Sequence, residues 1–265
     1  VIPETHPYLE RVWNANPFDG AAARRHSSYA GCCGGDVVRL LETRPPAPFA
    51  ITAHEAFREF VLGSRFSCLA GRSAVRRETY RIGAYERFDD ADVTEGLARD
   101  LFAFSGERAG FRSDFTTFVA FFRRARAFTE ADFERRLWSQ LQRLHDRDVD
   151  FHAWDPRVDE DPSSAMFSFS FAGQAFFVVG LHPQASRSSR RFLWPTLVFN
   201  AHEQFEHLKA AGSFHRLQGA IRKRELAIDG SLNPNLAPFG SASEARQYSG
   251  RHVPEGWRCP FHPRS

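Results

Sequence analysis

Apolar positions along this chain recur with two periods, and the changes between them mark the elements. Phe133, Leu137, Leu141 and Leu144 follow one another at three- and four-residue steps, which predicts a one-sided helix over "FTEADFERRLWSQLQRLHDRD". Thr129 starts it and Asp132, three residues later, completes a capping box. "DVTEGLARDLFAFSGE" has the same helical spacing, and "TAHEAFREFVLG" predicts a helix capped at Thr52 with Glu55 three residues on. "ETYRIGAYE" alternates and "FTTFVAFFR" is a short apolar run, so both read as strands. Phe167, Phe169 and Phe171 alternate with Ser168 and Ser170, the pattern of a half-buried strand. After a turn at Ala172-Gly173, Ala175 to Leu181 is continuously apolar and reads as a buried central strand. "TLVFN" is another strand, "AHEQFEHLKAAG" a helix ending at Gly212, and "FHRLQGAIRKRELAIDG" a helix closed by its glycine.

Helices and antiparallel-type strands are mixed without a βαβ rhythm. The expected class is α+β, a single domain with a mixed or antiparallel central sheet flanked by helices. "DGAAARRHSSYAGCCGGD" and "ETRPPAPFA" are loop signals. They divide the chain into an irregular N-terminal arm around one short helix, residues 1–49, and a compact domain, residues 50–265, with a loop-rich C-terminus. No internal repeat is evident.

Composition changes this picture in three ways. The 27 phenylalanines point to large flat apolar surfaces, as a Phe-rich core or a wide aromatic pocket. Of 35 cationic residues only Lys209 and Lys223 are lysines; arginine suits planar contacts to carboxylates and phosphates. The charges are interspersed, with no basic block or finger spacing, which argues against nucleic acid as partner. No run is long and apolar enough for a membrane span, so no membrane partner is expected and the cytoplasm is the default compartment. Cys32, Cys33, Cys68 and Cys259 form no disulfide framework and no metal-binding pair of thiols.

"HEQFEH" resembles a zinc-protease motif, but His202 and His207 are five apart, roughly 140° around a helix, and cannot chelate one metal together. His202 with Glu206, and Glu203 with His207, do satisfy the four-residue spacing of helical pairs. No strained GxSxG turn activates a serine, and no glycine-rich phosphate loop is present. Cys68 is of a type more often buried than nucleophilic; Cys259 precedes a proline in "WRCPF", either a C-terminal turn or a thiolate presented to iron. His182 ends the apolar run at "GLHP", and neutral imidazole is a good ligand for heme iron or another transition metal. The bland alternative is a core histidine satisfied by a carbonyl. Arg187, Arg190 and Arg191 beside this strand would suit a flat, mostly apolar anion.

"DPSSAMFSFSFAGQAFFVVGLHPQASRSSRRFLWPTLVFNAHEQFEHLKAAG" resembles the signature of the YqcI/YcgG family. The resemblance continues through "IRKRELAIDGSLNPNLAPFGSASEARQYSGR" to "WRCPF", and upstream takes in "RFSCLAGRSA", covering about Ala50 to His262. It implies a heme-dependent N-oxygenase that hydroxylates a guanidine or amine nitrogen of an arginine-like small molecule. Heme b and dioxygen or peroxide would be the cofactor and co-substrate, with an external electron donor, since no reductase module is evident. Carried onto this chain, it implies His182 as axial iron ligand, with His202, Cys68 and Cys259 as rivals. Arg187, Arg190, Arg191 and Arg246 would meet the propionates. His202, Glu203 and Glu206 are candidate catalytic groups, and Asn200, Gln204, Glu244 and Gln247 candidate substrate contacts. A non-catalytic heme sensor or carrier, or a non-heme metal enzyme, are the alternatives; a homo-oligomer stays open.

Overall fold

The structure, a computed structural model, describes residues 16–111, 113, 115–124, 129–210 and 212–264. Its strands are β1 (Ala30–Cys33), β2 (Asp36–Arg39), β3 (Tyr80–Arg87), β4 (Thr117–Arg124), β5 (Phe169–Phe171), β6 (Gln174–Leu181) and β7 (Thr196–Ala201). They form one seven-stranded sheet in the order β2-β1-β3-β4-β7-β6-β5. Only β3 and β4 pair in parallel; the other five pairings are antiparallel. The fold is therefore α+β with a mixed, mostly antiparallel sheet flanked by helices.

Side-chain alternation gives the sheet two faces. Phe118, Phe122, Val178, Leu197 and Phe199 point to one side, where α4 (Ala91–Glu107) and α5 (Glu130–Asp148) bury them. The α5 start has the Thr129–Asp132 capping box with both reciprocal bonds made. Close contact on this face depends on Gly180: a Cβ there would lie 2.5 Å from Phe133 Cε1 of α5. On the other side Ile82, Val119, Phe121 and Val198 meet Ala53, Phe57 and Val61 of α2 (Pro48–Leu62) and Val75 of α3 (Leu69–Arg76).

Three expectations differ from the fold. The helix expected to be capped at Thr52 begins a turn earlier, because Pro48 fits the first helical turn and Ala47 is extended. Residues before 50 supply α1 (Ala21–His26), the short helix expected there, but also the β1–β2 hairpin, closed by Gly34-Gly35 with positive φ at both positions. Phe18, Tyr29 and Ala30 are buried, and Ser27 Oγ, Ser28 N and Tyr85 Oη all donate to Asp100, at 2.5, 2.7 and 2.8 Å. Beside them Tyr29 Oη donates to Glu107 at 2.5 Å, and Arg81 pairs with the same carboxylate. Residues 1–15 lie outside the described part. The third difference concerns β5 and β6. Ser168 and Ser170 are buried like the phenylalanines around them, because Asp155 N donates to Ser170 Oγ and Tyr248 seals the strand's other end. β6 lies one position in from the sheet edge; the centre is β4.

Among the described residues no helix is long and apolar enough to cross a membrane.

Candidate functional site

Past α2 and α3 the second face of the sheet is covered differently. There α7 (Phe214–Asp229), which follows α6 (Glu203–Ala210), stands off from the sheet and leaves a cavity of about 330 Å³. That size is ordinary for a small-molecule site. Its floor is alternate residues of two strands, Phe177, Val179 and Leu181 of β6 with Val198 and Asn200 of β7. Phe57, Phe66 and Cys68 close one side, and Leu217, Ile221 and Glu225, four residues apart on α7, form the roof. The lining is mainly apolar, and its charged and amide groups include Arg187, Arg190, Arg222, Asn200, Gln204, Glu225 and Gln247.

Cys68 is the N-cap residue of α3, and its Sγ accepts from Gly71 N at 3.4 Å. Burial pushes the thiol pKa up, while the Gly71 and Ala70 N–H groups and the Arg190 cation pull it down. Burial is the largest of these influences, so the thiol stands above its ordinary pKa. Arg190 is engaged with the backbone, donating to Gly180 O, Tyr248 O and Gln247 O at 3.1 Å each. Burial lowers its pKa to about 10. Arg187 pairs with Glu225 at 3.0 Å and donates to Ser231; its Nε is buried without a hydrogen-bond partner.

Asn200 donates to Phe177 O and Val198 O at 3.2 and 3.3 Å. Gln204 Oε1 accepts from Thr116 N. Each therefore presents an amide to the cavity with one of its two ends fixed by backbone.

The remaining expected site residues lie elsewhere. His182 is fully buried under Phe133, ring centroids 4.3 Å apart, on the α5 side of the sheet, and burial lowers its pKa to about 4. Arg191 donates to Ala185 O and Ser186 O. Arg246 donates to Val253 O, Pro254 O and Glu255 O. Cys259 packs beside the Trp138–Phe261 cluster, and burial pushes its thiol up to about 12. None of these four lines the cavity.

His202, Glu206 and Glu244 do come together, behind the cavity wall. His202 follows the last residue of β7, with Nε2 3.6 Å from Glu206 and Nδ1 3.9 Å from Glu244. Phe239 packs edge-on against it at 4.5 Å. Burial lowers the His202 pKa. Burial also raises Glu244 to about 8, although the Ser168 and Tyr248 hydroxyls draw it down. At neutral pH the pair is thus a neutral imidazole beside a protonated carboxyl. Glu203 is turned away, held by Arg108 at 2.5 Å, which lowers its pKa.

Sequence reasoning missed Glu225 and the α7 roof. The four-residue spacing of Leu217, Ile221 and Glu225 was visible, but a glutamate in an apolar stripe declares itself only against its partner Arg187. Among the described residues no three His, Cys, Asp or Glu side chains gather to hold a metal ion. An iron held in a porphyrin needs only one protein donor, so its fit turns on the cavity. Aromatic walls, a cysteine sulfur at a helix start and the three guanidinium groups of Arg187, Arg190 and Arg222 are on the lining, the residue types that a flat apolar group with a metal centre and acidic substituents would use.

The sequence model of the YqcI/YcgG family matches residues 57–262. YqcI of Bacillus subtilis (strain 168), described as uncharacterized, is 27% identical over 209 residues, 75% of this chain and 81% of that protein. YcgG of the same strain, described likewise, is 26% identical over 206 residues, 74% of this chain and 80% of that protein. No solved structure matches the chain.

Proposed function

The chain belongs to the YqcI/YcgG family, and on that premise we propose that it is a heme-dependent N-oxygenase acting on a small guanidine or amine compound, with heme held in the cavity beneath α7. The observation that carries the reading is the position of Cys68. Of the four candidate ligands, only its side chain lines the cavity, at the start of α3 and within the field of Arg190.

In this reading Cys68 Sγ would hold the iron, and Phe57, Phe66 and Phe177 would border the porphyrin. Heme, when bound, supplies the activation of dioxygen or peroxide that places one oxygen atom on nitrogen. The protein's own groups bind, orient and manage protons. Asn200 and Gln204 offer neutral hydrogen bonds to a nitrogen substrate on a floor that is otherwise apolar. Arg187 offers a charge-assisted contact to an acidic substituent. Glu244 holds a proton at its carboxyl at neutral pH, and His202, between Glu244 and the half-exposed Glu206, is the neutral base through which that proton exchanges with solvent. Electrons come from a separate donor, or peroxide replaces them.

Protein expressed with added hemin, purified and scanned for a Soret band tests the reading. A band that changes in C68S and persists in H182A, H202A and C259A is expected, with product one oxygen atom heavier from an arginine-like compound. A colourless protein that takes up no hemin removes the proposal, and a spectrum unmoved in C68S but lost in H182A returns the iron to His182.

A further inference from the structure

Helix α7 covers the cavity without packing into it. Along its 16 residues Glu225 is the one buried side chain. Leu217 and Ile221, which in an ordinary amphipathic helix would press on the sheet, line the void, and Leu226 on the outside is 53% exposed. A helix of this length is marginal without a packed face, so its free energy of local opening is low compared with that of the sheet. Glycines flank it at both ends, Gly212 at φ 66° and Gly230 at φ 70°, conformations that glycine adopts without strain and that suit a hinge.

What holds α7 down is polar and concentrated in its last two turns. Arg224 Nη2 donates to Phe66 O at 3.2 Å, Ser188 N to Asp229 Oδ1 at 3.1 Å, and Arg187 Nη2 to Glu225 Oε1 at 3.0 Å. The last of these ties also faces the cavity. Glu225 engages one nitrogen of Arg187, while Arg187 Nε is buried with no partner. A carboxylate arriving from inside the cavity could take Nε and Nη2 together, the two-point pairing that guanidinium groups favour.

We propose that α7 is a lid hinged at Gly212 and Gly230 and latched by Arg187–Glu225, and that the ligand that releases it is an apolar molecule carrying a carboxylate, which replaces Glu225 on Arg187. The proposal rests on the reading of this cavity as the ligand site. It does not depend on which carboxylate-bearing molecule occupies it.

Hydrogen exchange followed by mass spectrometry on the full chain without ligand tests the lid. Peptides from residues 214–229 should exchange at least about tenfold faster than those of β4, and E225Q should raise the α7 rate by about a further tenfold with α5 and β4 unchanged. Protection of α7 equal to that of β4 in both proteins overturns the lid. Calorimetric titration with dodecanoate and with dodecanol tests the ligand class. Dodecanoate should bind about tenfold more tightly, E225Q should strengthen it by removing the competing carboxylate, and R187M should abolish the preference. Equal affinity for acid and alcohol in the wild type, or a preference that survives in R187M, overturns it. Neither measurement reads heme, so a missing Soret band would remove the oxygenase and leave these outcomes to stand or fall separately.

Discussion

The Cys68 sulfur and the His182 imidazole lie on opposite sides of one sheet. Cys68 lines the cavity beneath α7, whereas His182 stacks on Phe133 of α5 among the packed side chains of the other face. Two residues that could each serve iron thus have unequal access to a ligand. The difference follows from strand parity: Leu181 faces the cavity, so its neighbour faces away.

His182 has a consequence for acid stability. Its pKa in the fold is about 4 against an ordinary 6.5, because burial disfavours the imidazolium. A group depressed in this way contributes stability above pH 6.5, and that contribution is lost as pH falls through 4. Replacing the titrating ring by phenylalanine, His182→Phe, should flatten the fall in unfolding free energy between pH 6.5 and 4 by roughly 2 kcal/mol. Urea unfolding at half-unit pH steps measures it; parallel curves for the two proteins would show that His182 does not drive the acid limb.

Glu244 acts with the opposite sign. Burial raises its pKa from 4.5 to about 8, so the fold favours the protonated carboxyl. Its contribution is complete below pH 4.5 and is lost as pH rises through 8. Glu244→Gln, which resembles the protonated form, should match the wild type at pH 5 and exceed it by roughly 3–5 kcal/mol at pH 9. Thermal melts at both pH values decide it, and a variant weaker than wild type at pH 9 would contradict the buried neutral carboxyl.

The Gly180–Phe133 approach sets how closely α5 lies on β6. A Cβ at Gly180 falls 2.5 Å from Phe133 Cε1 and 2.9 Å from Leu137 Cδ1. Gly180→Ala should destabilise the protein by about 1–3 kcal/mol through forced displacement of α5. A lower melting temperature, with the near-ultraviolet circular dichroism of the aromatic core altered, is the expected result; an unchanged melt would mean that the helix yields freely.

Asp100 ties the N-terminal segment to the body. Its two oxygens accept from Ser27 Oγ, Ser28 N and Tyr85 Oη, and burial raises its pKa to about 6. Asp100→Asn turns one acceptor into a donor facing donors, at a cost of about 1–3 kcal/mol. Limited proteolysis should then cut preferentially between α1 and β2, where the wild type resists; equal resistance would place the anchorage in Phe18 and Tyr29 instead.

The elements with strong local signals were legible from the sequence. The α5 helix carries its own capping box and an apolar stripe, and the α7 helix ends at a left-handed glycine, so neither needs distant partners to declare itself. The β1–β2 hairpin had a readable Gly34-Gly35 turn, but strands of four residues, one of them Ala-Gly-Cys-Cys, carry little periodicity. Their identity as strands comes from the edge of β3. Strand parity was likewise written into "VVGLHP". What the parity could not say is which face of the sheet would be packed solid and which would be held open.

By itself the sequence determined the α+β class, most helices and strands, and the family resemblance, because these depend on residues close along the chain. Only the tertiary structure decided the site. Cys68, Asn200, Arg187 and Glu225 are separated by long stretches of chain, and they meet because α7 spans the sheet face that α2 and α3 leave uncovered. Their proximity reflects the volume left between packed layers, a quantity that no local pattern of hydrophobic and polar residues encodes.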